Sequence, residues 1–326
     1  MIPFFAYIVL SLQKIRLLLY FAKIWRGGLQ PRPPASRSLS RRAMNTPKSA
    51  KWAVITGASS GIGAALIRRL VQTEPNLNFL AVGRRLEKLE EACKQALVGA
   101  TPGTSSERIK VVAADVSTAD GITSIVSALP PRAPVKYLVH NAGVLGPIAP
   151  LVNIDRETWR QVVATNLEAP LFLTQALLPN LKQCAAEGEE KARVLHISSG
   201  AAVHSYEGWG PYCVTKAGLN MVYRCLSTEL SHHNILVGSV RPGVVDTPMQ
   251  DLIREYDGPV EHFPAISKFH ELHQRKKLES PMVVATYLHW LLSEINDDEF
   301  GCEEKDIRNS KDDERWQTFL AGQKTV

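Results

Sequence analysis

The sequence predicts an α/β fold, a doubly wound parallel sheet of about seven strands with helices on both faces, in a single domain. Three observations predict it. From Lys51 onward, short apolar β-branched runs alternate with longer stretches of helical apolar spacing, the pattern of a parallel sheet covered on both faces. The first run leads through residues 56–63, TGASSGIG, directly into a helical stretch marked by Ala64, Leu66, Ile67, Leu70 and Val71, so the glycines occupy a strand-to-helix turn. No repeat and no second composition regime interrupts this alternation.

Length and composition set the bounds. The 326 residues, 45% of them hydrophobic, suffice for one large core. The net charge of +6 is unevenly spread: residues 1–50 hold nine Lys and Arg and no acid, which leaves 29 basic against 32 acidic residues beyond. The body of the chain is thus slightly acidic, and a nucleic-acid-binding face is not expected. Five scattered cysteines, with no CxxC pair and no Cys/His spacing suited to zinc, fit a reducing compartment and give no metal site.

In chain order, residues 1–50 read as a basic apolar leader and a disordered linker. Lys14, Arg16, Lys23 and Arg26 break the apolar run, so a simple spanning helix is disfavoured. Three readings stay open: translation starting at Met44, an import leader, or a membrane anchor. A cytoplasmic location is expected, and a mitochondrial or membrane-associated one if residues 1–43 are expressed. Residues 51–310 are expected to form one folded domain and 311–326 a C-terminal tail. Strands are expected at 52–56, 79–83, 109–113, 137–140, 193–198, 236–240 and, more weakly, 305–308. Helices are expected at 62–72, 87–97, 119–128, 155–181, 212–232 and 281–293. Between 249 and 279 no strand pattern appears, and Gly258, Pro259 and Pro264 break the stretch up, so it reads as an irregular lid that sets substrate shape.

The residues that carry chemistry fall at the strand ends. Gly57 suits a sharp turn, Gly61 a close backbone approach to a pyrophosphate, and Gly63 the packing of the helix, whose first amides then face an anion. Arg84 follows the second strand where an acid would hold ribose hydroxyls, and a guanidinium there favours a 2′-phosphate instead. Asp115 and Val116, past the third strand, suit an adenine amino group and ring. Asn141, Ala142 and Gly143 keep the backbone after the fourth strand open to a cofactor. Tyr212 and Lys216 lie one helical turn apart on one face, so the ammonium is expected to lower the phenol toward working pH. Ser199, ending the fifth strand, can hold a substrate oxygen against that phenol. Pro170 has no amide hydrogen to give the residue four earlier, which frees the carbonyl of Asn166.

TGASSGIG, Asp115-Val116, the Asn-Ala-Gly at 141–143, Ser199, Tyr212 with Lys216, and Pro242-Gly243 occur in one order over residues 51–308. In this the chain resembles the short-chain dehydrogenase/reductase superfamily. The resemblance implies NADPH/NADP+ as cofactor, contacted also by Ser59, Ser60, Ile62, Val245 and Thr247, with Lys216 on the nicotinamide ribose. It implies Ser199, Tyr212, Lys216 and Asn166 as catalytic residues, the last through a carbonyl-bound water. Ser60 departs from the pattern, since no base precedes Gly61, and NADP preference then rests on Arg84.

Three stretches, GWGPYCVTKAG, RPGVVDTPMQ and DEFGCEEKDIRN, resemble sepiapterin and benzil reductases. This implies substrate contacts from Ser199, Trp209, Tyr212, Met249 and, by a loose alignment to a pterin-anchoring acid, Asp306. The expected function is NADPH-dependent reduction of a small-molecule ketone or vicinal dicarbonyl with the tyrosine as proton donor. A dedicated sepiapterin reductase or a secondary-alcohol dehydrogenase remains the alternative. The resemblance also implies a homodimer, packed through the two long helices.

Overall fold

In the computed structural model, β1 (Lys51–Thr56), β2 (Leu77–Gly83), β3 (Ile109–Ala113), β4 (Val135–His140), β5 (Ala192–Ile197), β6 (Ile235–Arg241) and β7 (Lys305–Asp306) form one sheet. The structure describes residues 50–100, 105–186, 190–309 and 313–322, so the expectations for the leader fall outside it. The strand order is β3-β2-β1-β4-β5-β6-β7, with every pairing parallel. All seven strands lie where the β-branched runs predict them, within two residues at each end.

Alternation along the strands divides the core into two layers. On β1, Ala53 and Ile55 join Phe79, Tyr137 and Leu195 on one face, while Val54 joins Leu80, Val82, Leu138 and Val194 on the other. The first face is covered by α1 (Gly61–Thr73), α2 (Leu86–Leu97) and α9 (Pro281–Ser293), through Leu66, Leu89 and Leu288. The second is covered by α3 (Ala119–Ala128), α5 (Ala169–Ala186) and α6 (Gly210–Leu230), through Ile125, Leu173 and Tyr223. Burial on both faces is what forces the strands to be continuously apolar.

Three segments differ from the expectation. The helix expected at 155–181 starts as α4 (Arg156–Val163), widens into a π turn at Ala164–Glu168 and continues as α5 to Ala186. Pro170 cannot supply the normal amide bond, and the extra residue is absorbed by the wider turn, in which the Ala169 amide reaches the Ala164 carbonyl. The stretch expected to be irregular, 249–279, is about half helical: it holds α7 (Pro248–Arg254) and α8 (Ile266–Gln274), with Ile253, Phe263 and Phe269 buried beside Trp209 and Tyr212. Helices this short carry too few turns for periodicity to show, and the intervening Pro and Gly hide them. A four-residue α10 (Asp297–Phe300) precedes β7. Within residues 311–326, α11 (Glu314–Gly322) buries Trp316 against Tyr287 and Trp290, with ring centroids 5.1 and 5.9 Å away. No helix of the described residues is long and apolar enough to cross a membrane.

One buried cation ties the sheet to the helical layer. Arg193 on β5 donates to the carbonyls of Leu291 and Ile295 at the end of α9, both at 2.8 Å, and to Asp297 Oδ1 at 2.7 Å. It thereby satisfies carbonyls that a helix C-terminus leaves open. Arg193→Met should lower unfolding free energy by about 3 kcal/mol, the scale for removing one partner of a buried charged network. Urea denaturation checks this, and a loss under about 1 kcal/mol would mean that water replaces the guanidinium.

Candidate active site

The chain reverses its direction of travel across the sheet between β1 and β4, so the loops leaving the C-terminal ends of these strands diverge and open a crevice. A cleft of about 540 Å³ occupies it. At one end stands the glycine turn: Gly57, Ser59, Ser60, Gly61 and Ile62 line the cleft, as do Ala142, Gly143 and Val116. Gly57 and Gly61 have φ of +66° and +55°, and a Cβ on Gly61 would lie 2.9 Å from Thr247 Cγ2. Gly63 lies behind the turn, where a Cβ would sit 2.4 Å from the Gly57 carbonyl. Only glycine allows α1 this close. The α1 N-terminus has no side-chain cap and no acid in its first turn, whereas α3, α4 and α9 are each capped by Thr118, Asp155 and Ser280. Its amides and partial positive charge are therefore left to an anion.

Asn141 lines the cleft, but its amide is committed to the turn, donating to the Thr56 and Gly57 carbonyls at 2.9 and 3.1 Å. Thr56 Oγ1 accepts from the Asn141 and Ala142 amides at 3.0 Å each. The first strand's turn and the fourth strand's exit are thus one rigid unit. At the rim stand Arg84 and its neighbour Arg85, whose Nη2 lies 3.4 Å from Ser59 Oγ. Burial works against the Asp115 charge, but bonds from Ser117 and the nearby Arg84 outweigh it and hold its carboxyl below its ordinary value. A phosphate-bearing dinucleotide fits this end, since the turn leaves space only for backbone and the rim is cationic.

In the middle of the cleft Ser199, Tyr212 and Lys216 come together from β5 and α6. Lys216 is buried and donates to the Ile197 carbonyl at 2.8 Å, with its ammonium 5.6 Å from the Tyr212 ring centroid. Burial pulls its pKa down to about 8, with Glu304 opposing. The one-turn spacing predicts a phenol lowered by the lysine; the structure differs. Burial pushes Tyr212 up to about 12, and a hydrogen bond with Ser199 recovers only part of that. Desolvation of the phenolate dominates, and the ammonium beside the ring does not reverse it.

Asn166 does not touch the cleft. It is fully buried, its Oδ1 accepts from the Val144 amide at 2.8 Å, and its Nδ2 donates to the Val144 carbonyl and to Thr215 Oγ1 at 2.8 and 3.1 Å. It straps the segment after β4 to α6 one residue from Lys216. Beneath lie His140 and His196, paired in register on β4 and β5 with rings 5.0 Å apart. His140 shares a 2.8 Å bond with Thr174, while neither ring nitrogen of His196 finds a partner among the described residues.

The far end is lined by Pro242, Gly243, Val245, Thr247, Trp209 and Met249, and also by Tyr206, Gln250, Phe269 and Arg308, which sequence reasoning missed because a loop, two short helices and the segment after β7 come together only in the fold. Asp306, expected to contact substrate, is corrected by the structure. Its side chain is 2% exposed, is gripped by Arg308 and Arg241, and does not line the cleft. The alternation of β7 turns it inward.

Comparison with known proteins agrees with this geometry. A family model described as short chain dehydrogenase matches residues 51–258. The chain is similar to a benzil reductase ((S)-benzoin forming) of Bacillus cereus, 31% identical over 253 residues, 74% of this chain and 94% of that protein. It is 34% identical to the sepiapterin reductase of Rattus norvegicus over 209 residues, 62% of this chain and 77% of that one. A solved L-sorbose reductase from Gluconobacter frateurii, complexed with NADPH and L-sorbose, superposes with a TM-score of 0.65 at 26% identity, covering 79% of this chain and 95% of that one.

The buried histidines give this region a pH dependence. Burial holds His196 near 3 and His140 well below its ordinary value, so below about pH 6.5 the unfolded chain takes up protons that the folded chain does not. Stability should therefore fall as pH drops from about 6.5 to about 5, approaching about 2 kcal/mol per histidine. His196→Leu should remove about half of that slope in denaturant melts at several pH values. An unchanged slope would mean that His196 protonates in the folded protein.

Proposed function

The chain belongs to the short chain dehydrogenase family, and on that footing we propose that it is an NADPH-dependent carbonyl reductase acting on ketones or vicinal dicarbonyls. Family membership makes it an oxidoreductase acting on alcohol and carbonyl groups of small molecules with an NAD(P)(H) cofactor. The reduction reading is carried by one observation: Ser199, Tyr212 and Lys216 meet in the cleft between a phosphate-sized glycine cradle and an apolar chamber. The benzil and sepiapterin reductase names of the relatives support the dicarbonyl class.

The residues divide the work. The glycine turn, Arg84 and Asp115 would hold the dinucleotide, with Val245 and Thr247 at its nicotinamide end; when bound it supplies the hydride that the side chains cannot. Ser199 donates a hydrogen bond to the substrate carbonyl oxygen and holds it at the Tyr212 hydroxyl. Tyr212 gives its proton to that oxygen as negative charge develops there. Lys216 stabilises the phenolate left behind. A unit charge pair 5–6 Å apart at an effective dielectric near 20 attracts by on the order of 3 kcal/mol. Burial makes the phenolate costly, and this attraction works against that cost as the charge forms. Asn166 positions Lys216 through its strap to Thr215.

A dedicated sepiapterin reductase is the lesser reading, because the acid it would need, Asp306, is turned away from the cleft. We also infer a homodimer through α5 and α6, supported by Phe172, Val214 and Met221, which stand 47%, 46% and 56% exposed on these helices. Leu226, on the same α6, is in the core and takes no part in this face.

NADPH oxidation against diketones, sepiapterin and simple ketones tests the reading, and no turnover with any of them would refute it. Tyr212→Phe should retain cofactor binding and lose at least about a hundredfold in kcat, the scale of general acid catalysis. Reduction should hold steady at neutral pH and fall above about 8, because the lysine pKa is depressed and the cation is lost as pH rises. A profile flat to pH 10 would separate Lys216 from the proton step. Arg84→Ala should weaken NADPH by about ten- to a hundredfold with little effect on NADH, as loss of a charge-assisted bond to the 2′-phosphate requires. Equal weakening of both would make Arg84 a structural residue.

A further inference from the structure

The substrate end of the cleft has aromatic walls and one fixed cation. Tyr206 and Phe269 tilt against Trp209 with centroids 4.9 and 5.2 Å away, and Trp209 meets Tyr212 edge-on at 6.0 Å. Arg308 lines the same cleft, two residues beyond the buried Asp306. The segment that carries it sits against the Pro242-Gly243 turn, since a Cβ on Gly243 would lie 3.4 Å from Ile307 Cγ2.

The guanidinium is held in one orientation. Its Nε and Nη2 donate to Asp306 Oδ1 and Oδ2 at 2.9 and 2.6 Å, and the Arg308 amide donates to the same Oδ1 at 2.9 Å. Asp306 in turn lies 3.4 Å from Arg241 Nε, which also stands 3.3 Å from Glu304. Two cations and two carboxylates cancel, so the cluster offers the cleft a directed donor and little net charge. That donor is Nη1, the one edge of the fork with no partner among the described residues, on a side chain 53% exposed. A planar donor pre-set beside aromatic walls loses little entropy on binding.

We propose that Arg308 is a specificity-determining residue whose free Nη1 edge bonds a second acceptor oxygen, carbonyl, ester or carboxylate, next to the carbonyl held by Ser199 and Tyr212. The preferred substrates are then aryl carbonyls with a vicinal oxygen acceptor. The inference rests on the carbonyl-reductase reading. It assigns to Arg308, and not to Asp306, the polar contact at this end. The acid is the arginine's orienter.

Methyl benzoylformate and propiophenone share the aryl ketone and differ in the vicinal acceptor. The wild-type enzyme should prefer the keto ester in kcat/KM, and Arg308→Met should lower that preference by about ten- to a hundredfold, chiefly through KM, as loss of a charge-assisted bond predicts. Preference is a ratio measured on one preparation, so partial unfolding of a variant cancels. The double variant D306N/R308M, which leaves no unpaired carboxylate, should show the same loss. A ratio unchanged in both variants overturns the proposal. Calorimetric titration of both compounds into the NADP+-loaded protein separates the two readings. Tighter keto-ester binding that Arg308→Met abolishes, with neither compound reduced, would sink the reductase reading and keep the Arg308 site. Reduction of both with no preference in turnover or binding would sink the Arg308 site and keep the reductase.

Discussion

An ammonium group buried in the protein with a single backbone acceptor sets the geometry of this cleft. Lys216 is 5% exposed and has one fixed hydrogen bond, to the Ile197 carbonyl at the end of β5. An isolated cation in such a place is costly, and the cost appears as a pKa drawn down to about 8. The compensation comes from distant parts of the chain: Glu304, just before β7, supplies an opposing field, and Glu304 is itself held by Ser239 at 3.0 Å and by Arg241. The last strand is only two residues long, yet it closes this circuit.

The surrounding packing keeps the lysine where it is. Asn166 clamps both backbone groups of Val144 and the Thr215 hydroxyl, so the exit of β4 and the face of α6 cannot move independently. A Cβ on Gly143 would come 3.4 Å from Asn166 Oδ1 and 3.8 Å from Lys216 Nζ, so the backbone after β4 passes close to both the strap and the ammonium. The π turn brings Asn166 to this point, since a regular helix would carry the next residues around by a different angle. Pro170 has a positioning effect here, although the helix does not end at it.

The sheet and the middle of the cleft were legible in the sequence because their causes are local. A strand buried on both faces must be apolar throughout, a turn at positive φ calls for glycine, and a tyrosine and lysine on one helical face need a spacing of four. Gly57, Gly61, Tyr212 and Lys216 could be read on those grounds. The substrate end obeys no such periodic rule. Tyr206, Phe269 and Arg308 reach the cleft from a loop, a nine-residue helix and the segment after β7, brought together only by the tertiary fold. Asp306 was misread for the same reason, because which of two alternating residues faces the cleft depends on the register of β7 against β6.

The charge on Tyr212 is governed by the same long-range packing. In water a phenol near 10 is a poor acid at neutral pH, and burial to about 12 makes it poorer while also shielding it from exchange with solvent. The proton-donor role we propose for Tyr212 tolerates this if the charge it leaves is stabilised only as it forms. The buried lysine meets that condition: its attraction for a neutral phenol is small and for a phenolate large, so it acts chiefly as the proton departs. The depressed lysine pKa arises from the same burial that strengthens the attraction. The acid, the cation and the low-exposure site are therefore one electrostatic unit, built where β5 ends and α6 begins.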